Sequence, residues 1–241
     1  MRSAPDMKKS FLAKSNWCSR SLFHEISSSG WTNPGIDPRY QDFFLADLAA
    51  EYDAINLYYH LYPARHDFSP YFVQYLDFWF SDERNHADGF FELNRLIFDI
   101  EEDQLIDRLK ARTGNFDEIQ CIADTEFKLL LLFAYDEYIS VQTYKKDTFY
   151  RDFGHPAFNI WIKKLISDEA IRFGNAIKIL RTFFSTELNK AEHILNDIIS
   201  IEQTAYNNTF LFDHDGPHFQ LDKNEVGTVV INEILTILRK R

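Results

Sequence analysis

Residues 79–88 read Trp-Phe-Ser-Asp-Glu-Arg-Asn-His-Ala-Asp. Within them Glu83 and His86 stand three apart, close to one helical turn, so both side chains leave the same face of a helix. The residues around them keep that period. Phe72, Leu76, Trp79, Glu83, His86 and Phe90 share one face of a helix predicted over about 69 to 98, with Ser69 placed to cap it and Pro70 in its first turn. A carboxylate and an imidazole in the middle of an apolar stripe call for a physical reason, because a buried charge is costly unless it is paired or bound to a metal.

Three more helices repeat the anomaly. A helix over about 40 to 62 carries Phe44, Leu48, Glu51, Ile55 and Tyr58 on one face and stops at Tyr62-Pro63. Another, predicted from near Asp117, carries Leu130, Phe133, Glu137, Val141 and Tyr144, and Gly154-His155-Pro156 separates it from a helix over about 157 to 185 with Ile162, Leu165, Glu169, Arg172, Phe173 and Ala176. Each helix thus sets one glutamate in an apolar face. Glu51 and Glu83 lie 32 residues apart, as do Glu137 and Glu169, and an aspartate, Asp82 or Asp168, precedes the second acid of each pair. This is the pattern of two helix pairs meeting around a shared polar centre, with the aspartates in reach of metal-bound histidines. On the first helix Asp53 competes with Glu51, and the more apolar face favours Glu51. Shorter helices are expected within 99–113, over 190–207 and over 225–240.

Composition agrees with an all-α chain. Eight glycines and seven prolines in 241 residues leave long uninterrupted stretches, and the 23 phenylalanines and 12 tyrosines supply a thick core or an apolar substrate cavity. The formal charge of −11 argues against nucleic acid as the main partner. Cys18 and Cys121 are the only cysteines and form no CxxC pair, so the sequence points neither to a thiolate metal site nor to a disulfide framework. The first twenty residues lack an apolar core of a secretory signal, and the longest apolar run, Leu129 to Tyr135, is too short to span a membrane, so a cytoplasmic protein is expected.

The Trp79–Asp88 run is similar to the W-x-x-E-E-N-R-H-G-D motif of the soluble acyl carrier protein desaturases, and Gly154-His-Pro156 followed by Asp168-Glu169 resembles that family's G-D-P and D-E-K-R-H. The resemblance covers roughly residues 40 to 185, with a fainter echo near Leu211 to Phe219. It implies a ferritin-like four-helix bundle with flanking helices over 37–241, preceded by an extended N-terminal segment over 1–36. It further implies two iron ions, or manganese, held by Glu51, Glu83, His86, Glu137 and Glu169, with Glu83 and Glu169 bridging at the catalytic centre and Asp82, Asp168 and Arg172 around them. Family partners would be an acyl carrier protein bearing the chain to be desaturated or hydroxylated, a ferredoxin-type electron donor and a second copy of the chain. The basic cluster Arg108, Lys110 and Arg112 is one surface that an acidic carrier would meet.

The sequence departs from the family at one ligand. Arg172 stands where the second histidine is expected, and a permanent cation does not ligate a metal. Three outcomes follow: His60, His155 or His193 replaces it, the second metal is weak or lost, or Arg172 neutralises the carboxylates of a site without function. Besides a desaturase-like enzyme, the pattern suits another ferritin-like oxygenase, of the N-oxygenase or tRNA hydroxylase type, or a non-catalytic helical binding protein.

Overall fold

A computed structural model describes residues 11–27, 37–112, 114, 116–202 and 223–240. Among them every regular element is helical: α1 (Ser19–Ser27), α2 (Arg39–Leu61), α3 (Pro70–Phe98), α4 (Glu102–Lys110), α5 (Glu126–Lys146), α6 (Thr148–Asp152), α7 (Pro156–Phe183), α8 (Ala191–Glu202) and α9 (Lys223–Arg239), with short 3-10 turns between some of them.

Local chemistry sets the ends. The Ser69 hydroxyl accepts the amide of Phe72 at 3.2 Å and caps α3, while Pro70 opens its first turn. The carboxylate of Glu126 accepts from both the Ser69 amide (2.8 Å) and hydroxyl (2.7 Å), which ties the start of α3 to the start of α5. Asp99, at φ 54°, ends α3 in the left-handed region. Pro156 opens α7, whose first turn donates the Ala157 amide to His155 Nδ1 at 3.2 Å. The third long helix begins at Glu126 rather than near Asp117, because Asp117–Ile122 forms a 3-10 turn that buries Ile119 and Ile122, and Thr125 caps the helix that follows.

α2 packs against α3 and α5 against α7, each pair antiparallel, and the pairs meet chiefly where α3 faces α7. α8 and α9 cover the outer side of α5 with Leu195, Ile198, Val230 and Ile234. The apolar interior forms two clusters: one holds Leu57, Phe72, Trp79, Phe133 and Ala176, the other Leu48, Phe90, Tyr144, Phe158 and Leu165. On each long helix the glutamate falls between residues of the two clusters, for example between Leu48 and Leu57 on α2. A polar layer therefore crosses the bundle between two hydrophobic ends.

The N-terminal segment expected to be extended differs in part. Residues 11–18 run as an extended strap over the seam between α3 and α7, and Ser19–Ser27 then forms α1 against the same two helices. Phe23 of α1 is buried on Trp161 of α7, and the Trp161 indole donates to Ser19 Oγ at 2.9 Å. Gly89 makes room for that indole: a Cβ there would stand 2.4 Å from its ring atoms. Residues 28–36, the end of the helix expected over 190–207, and the Leu211–Phe219 echo lie outside the described residues. No helix among the described residues is long and apolar enough to cross a membrane.

Candidate metal centre

Glu51, Glu83, Glu137 and Glu169 converge in the polar layer, each almost completely buried. They face two cations. His86 Nδ1 lies 3.3 Å from Glu169 Oε1, 3.6 Å from Glu51 Oε2 and 4.0 Å from Glu83 Oε2. Arg172 spans the other side, with Nη2 2.5 Å from Glu169 Oε2 and 2.9 Å from Glu83 Oε1, and Nε 2.7 Å from Glu137 Oε2. Glu83 and Glu169, the two expected bridges, each direct one oxygen toward the imidazole and the other to the guanidinium.

Glu51, His86 and Glu169 form a group able to hold a metal, their ligand atoms lying within 4.8 Å of one another. Donors bound to one ion at about 2.1 Å sit roughly 3–4 Å apart, so the 3.3 and 3.6 Å spacings around Nδ1 suit a shared ion. Neither His86 Nδ1 nor Glu51 Oε2 makes a hydrogen bond, although both are buried. The other imidazole nitrogen is committed: Nε2 lies 3.2 Å from Asp168 Oδ2, which also accepts the Trp17 indole N–H at 2.7 Å. A carboxylate on Nε2 fixes the ring so that Nδ1 is the nitrogen offered to a metal. Glu83 and Glu137 are drawn instead to Arg172, whose guanidinium stands at the position where the resemblance puts the second histidine.

Electrostatics follow from this geometry. Burial opposes charge on His86, but Glu51 foremost, with Asp168 and Glu169, outweighs it and holds the imidazole well above its ordinary value. Burial likewise drives Glu83 and Glu137 well above the carboxylate range, with Arg172 pulling the other way and neighbouring carboxylates adding to the rise. Glu169 goes down: burial opposes ionisation, yet Arg172 and then His86 overcome it. Asp168 is also lowered against its burial, by the hydrogen bond with His86 and then by its charge. Asp82 is buried next to the cluster, and its burial raises it. Four glutamates thus share two protein cations, and three of them divide into an ionised Glu169 and a Glu83 and Glu137 that favour a proton.

The other sequence candidates lie elsewhere. His60 is exposed at the end of α2 against Phe116, His155 caps α7, and His193 is an exposed partner of Asp197, so none of them replaces the missing histidine. Asp53 pairs with Arg112 and Asn56, which leaves Glu51 as the acid of α2 beside His86. Sequence reading passed over Asp47 and its surroundings. Asp47, one turn before Glu51 and so on the same face, accepts the Tyr150 hydroxyl at 3.1 Å, and the Tyr144 hydroxyl donates to Glu51 Oε1 at 3.3 Å. The i, i+4 spacing of Asp47 and Glu51 was the available signal; Trp17, in a stretch without helical period, offered none.

No family model, curated protein or solved structure matches the chain.

Proposed function

We propose that the protein is a ferritin-like oxidoreductase of the desaturase type, working with one iron ion where the acyl carrier protein desaturases use two. The observation that carries this reading is Arg172, bonded to Glu83, Glu137 and Glu169 beside a His86 whose Nδ1 faces Glu51 and Glu169 without a hydrogen bond. One half of the polar layer is built for a metal, and the other carries a covalently attached cation in its place. Held by Glu51, His86 and Glu169, iron would supply the redox change and oxygen polarisation that dioxygen chemistry requires.

The chain's own groups have definite roles in this reading. Asp168 orients His86 and withdraws its Nε2 proton from the metal side. Trp17, half-buried at the strap, joins the same carboxylate and so links the surface to the ligand through two hydrogen bonds. Arg172 keeps Glu169 ionised and ready to ligate. Phenylalanine and tyrosine rings on both sides of the layer exclude water. The substrate, by the resemblance of Trp79–Asp88 and Asp168-Glu169, is an acyl or similar chain on a carrier protein, with electrons from a ferredoxin-type donor and a homodimer as the working unit.

Anaerobic titration with ferrous iron, followed by elemental analysis, is expected to give one iron per chain, and Arg172→His is expected to raise this to two. Two irons in the parent protein would overturn the single-ion assignment. None in either protein would end the oxidative reading and leave a helical protein whose core carboxylates are neutralised by Arg172 and His86.

A further inference from the structure

We infer that residues 11–19 act as a gate over the metal centre, a strap that opens as a unit to let an ion in or out while the bundle stays folded. The inference rests on the metal-binding reading of Glu51, His86 and Glu169, but its observations are separate. The strap lies along the α3/α7 seam directly outside the imidazole: Trp17 and His86 ring centroids are 6.4 Å apart, with Asp168 bonded to both. Beneath it His86 and Asp168 are closed off from solvent. The strap itself is largely exposed between its buried anchors Leu12 and Ser19.

Its attachments differ in kind from those of the bundle. Asn175 clamps the strap at one point, accepting the Ala13 amide at 3.0 Å and donating to the Ala13 carbonyl at 2.8 Å. Asn85 holds the other end, accepting the Ser19 amide at 2.7 Å while its own carbonyl accepts the Ser19 hydroxyl at 2.6 Å. Between them Lys164 stacks over Trp17 at 5.5 Å, and before them Phe11 packs on Tyr71 and Phe183 with Lys178 over its ring. Ahead of Ser19, where α1 begins, these are a few polar clamps, surface ring contacts and one buried leucine, Leu12, with no helical ladder. Such a segment opens at far lower cost than the helices it covers. Opening breaks the Trp17–Asp168 bond and bares the seam beside His86. A buried metal site needs an access path, and a locally opening strap supplies one.

A gate has a kinetic signature that a plain structural contact lacks: weakening it speeds uptake and release alike and leaves the equilibrium affinity nearly unchanged. Asn175→Ala removes both Ala13 clamps, and Phe11→Ala removes the remote anchor without touching the polar layer. With Co(II) as the probe, mixed with the full-length protein and later withdrawn by EDTA, each variant is expected to accelerate both rates, by about tenfold for Asn175→Ala. Unchanged rates in both variants overturn the gate, as does faster release with unaltered uptake, which is a loss of affinity. Amide exchange tests the strap independently of metal. The Ala13 and Ser19 amides are expected to exchange well before those of α3 and α7, and faster still in Asn175→Ala; exchange of Ala13 and Ser19 only together with the helices refutes the gate. If Co(II) does not bind at all the metal reading fails, while the exchange experiment still decides whether the strap opens.

Discussion

On its Oε1 side Glu169 faces the His86 imidazole at 3.3 Å, and on its Oε2 side it meets the Arg172 guanidinium at 2.5 Å, so one carboxylate divides the centre into two halves. In the His86 half the geometry is loose: Nδ1 and Glu51 Oε2 form no hydrogen bond, and the contacts are those of donors gathered around a point. In the Arg172 half three carboxylates are closed onto one cation at 2.5 to 2.9 Å. Halves that serve two equivalent ions would look alike. These differ as a fixed counterion differs from a place where one could bind.

The largest effect is expected at the closed half. Arg172→Leu strands Glu83, Glu137 and Glu169 without their cation in a buried layer, and breaking a buried ion pair from one side costs about 3–5 kcal/mol. Urea unfolding of the metal-free variant reads this directly. Excess ferrous iron is expected to recover more stability in the variant than in the parent, because only the variant then has three carboxylates lacking a counterion. A variant as stable as the parent would mean that the glutamates carry protons throughout, and that the contrast between the halves is only one of geometry.

A pH profile tests both halves together. His86 holds its proton well above the ordinary imidazole value, so its stabilisation is complete below about pH 6.5 and is lost as pH rises. Glu83 and Glu137 are raised too, so above their ordinary value of 4.5 the folded chain keeps protons that the unfolded chain has released, and stability again falls as pH rises. Glu169 and Asp168 are lowered and act in the opposite sense, losing their contribution as pH falls below the carboxylate range. The metal-free protein is therefore expected to be most stable in mild acid and to lose about 1.4 kcal/mol per pH unit for each extra proton held, moving to neutral pH and above. Metal affinity is expected to move the other way, since an ion displaces the proton on His86. A stability plateau from pH 5 to 9 would contradict the charge arrangement in both halves.

Much of the fold was legible because its signals are local. Four apolar stripes, each interrupted once by glutamate, gave the long helices and the level at which they meet, and the interruption is the same polar layer that separates the two apolar clusters. Ser69, Pro70 and Pro156 marked helix starts within a residue or two. The start of α5 was placed too early because Ile119 and Ile122 keep an apolar spacing that a 3-10 turn satisfies as well as a helix does. At the site, residue types and spacing pointed to His86 and the glutamates, and the substitution at Arg172 was visible as a departure from the desaturase motif. How Arg172 is used was not visible, since spacing does not tell an i, i+3 surface pair with Glu169 from a guanidinium gathering acids from three helices. Trp17 could not be found, because its partner Asp168 is 151 residues away and no period connects them.

The smallest effect concerns Tyr75, and its sign is informative. Its hydroxyl is buried with no hydrogen-bond partner, as are Arg172 Nη1 and Glu137 Oε1, so the closed half also contains unsatisfied polar atoms. Burial holds the Tyr75 hydroxyl well above its ordinary value, with the Glu137 charge adding to the rise, so it stays neutral and its only electrostatic function here is a hydrogen bond. Removing a buried hydroxyl that makes none is neutral or stabilises by up to about 1 kcal/mol, because a desolvated polar group is lost and no bond is broken. Tyr75→Phe is accordingly expected to match or exceed the parent in urea unfolding and to leave the iron count unchanged. Destabilisation by more than about 1 kcal/mol would show that the hydroxyl has a working partner, such as a water shared with Arg172 and Glu137. The Arg172 half would then be an open, hydrated site, and its contrast with the His86 half would narrow to the identity of the cation.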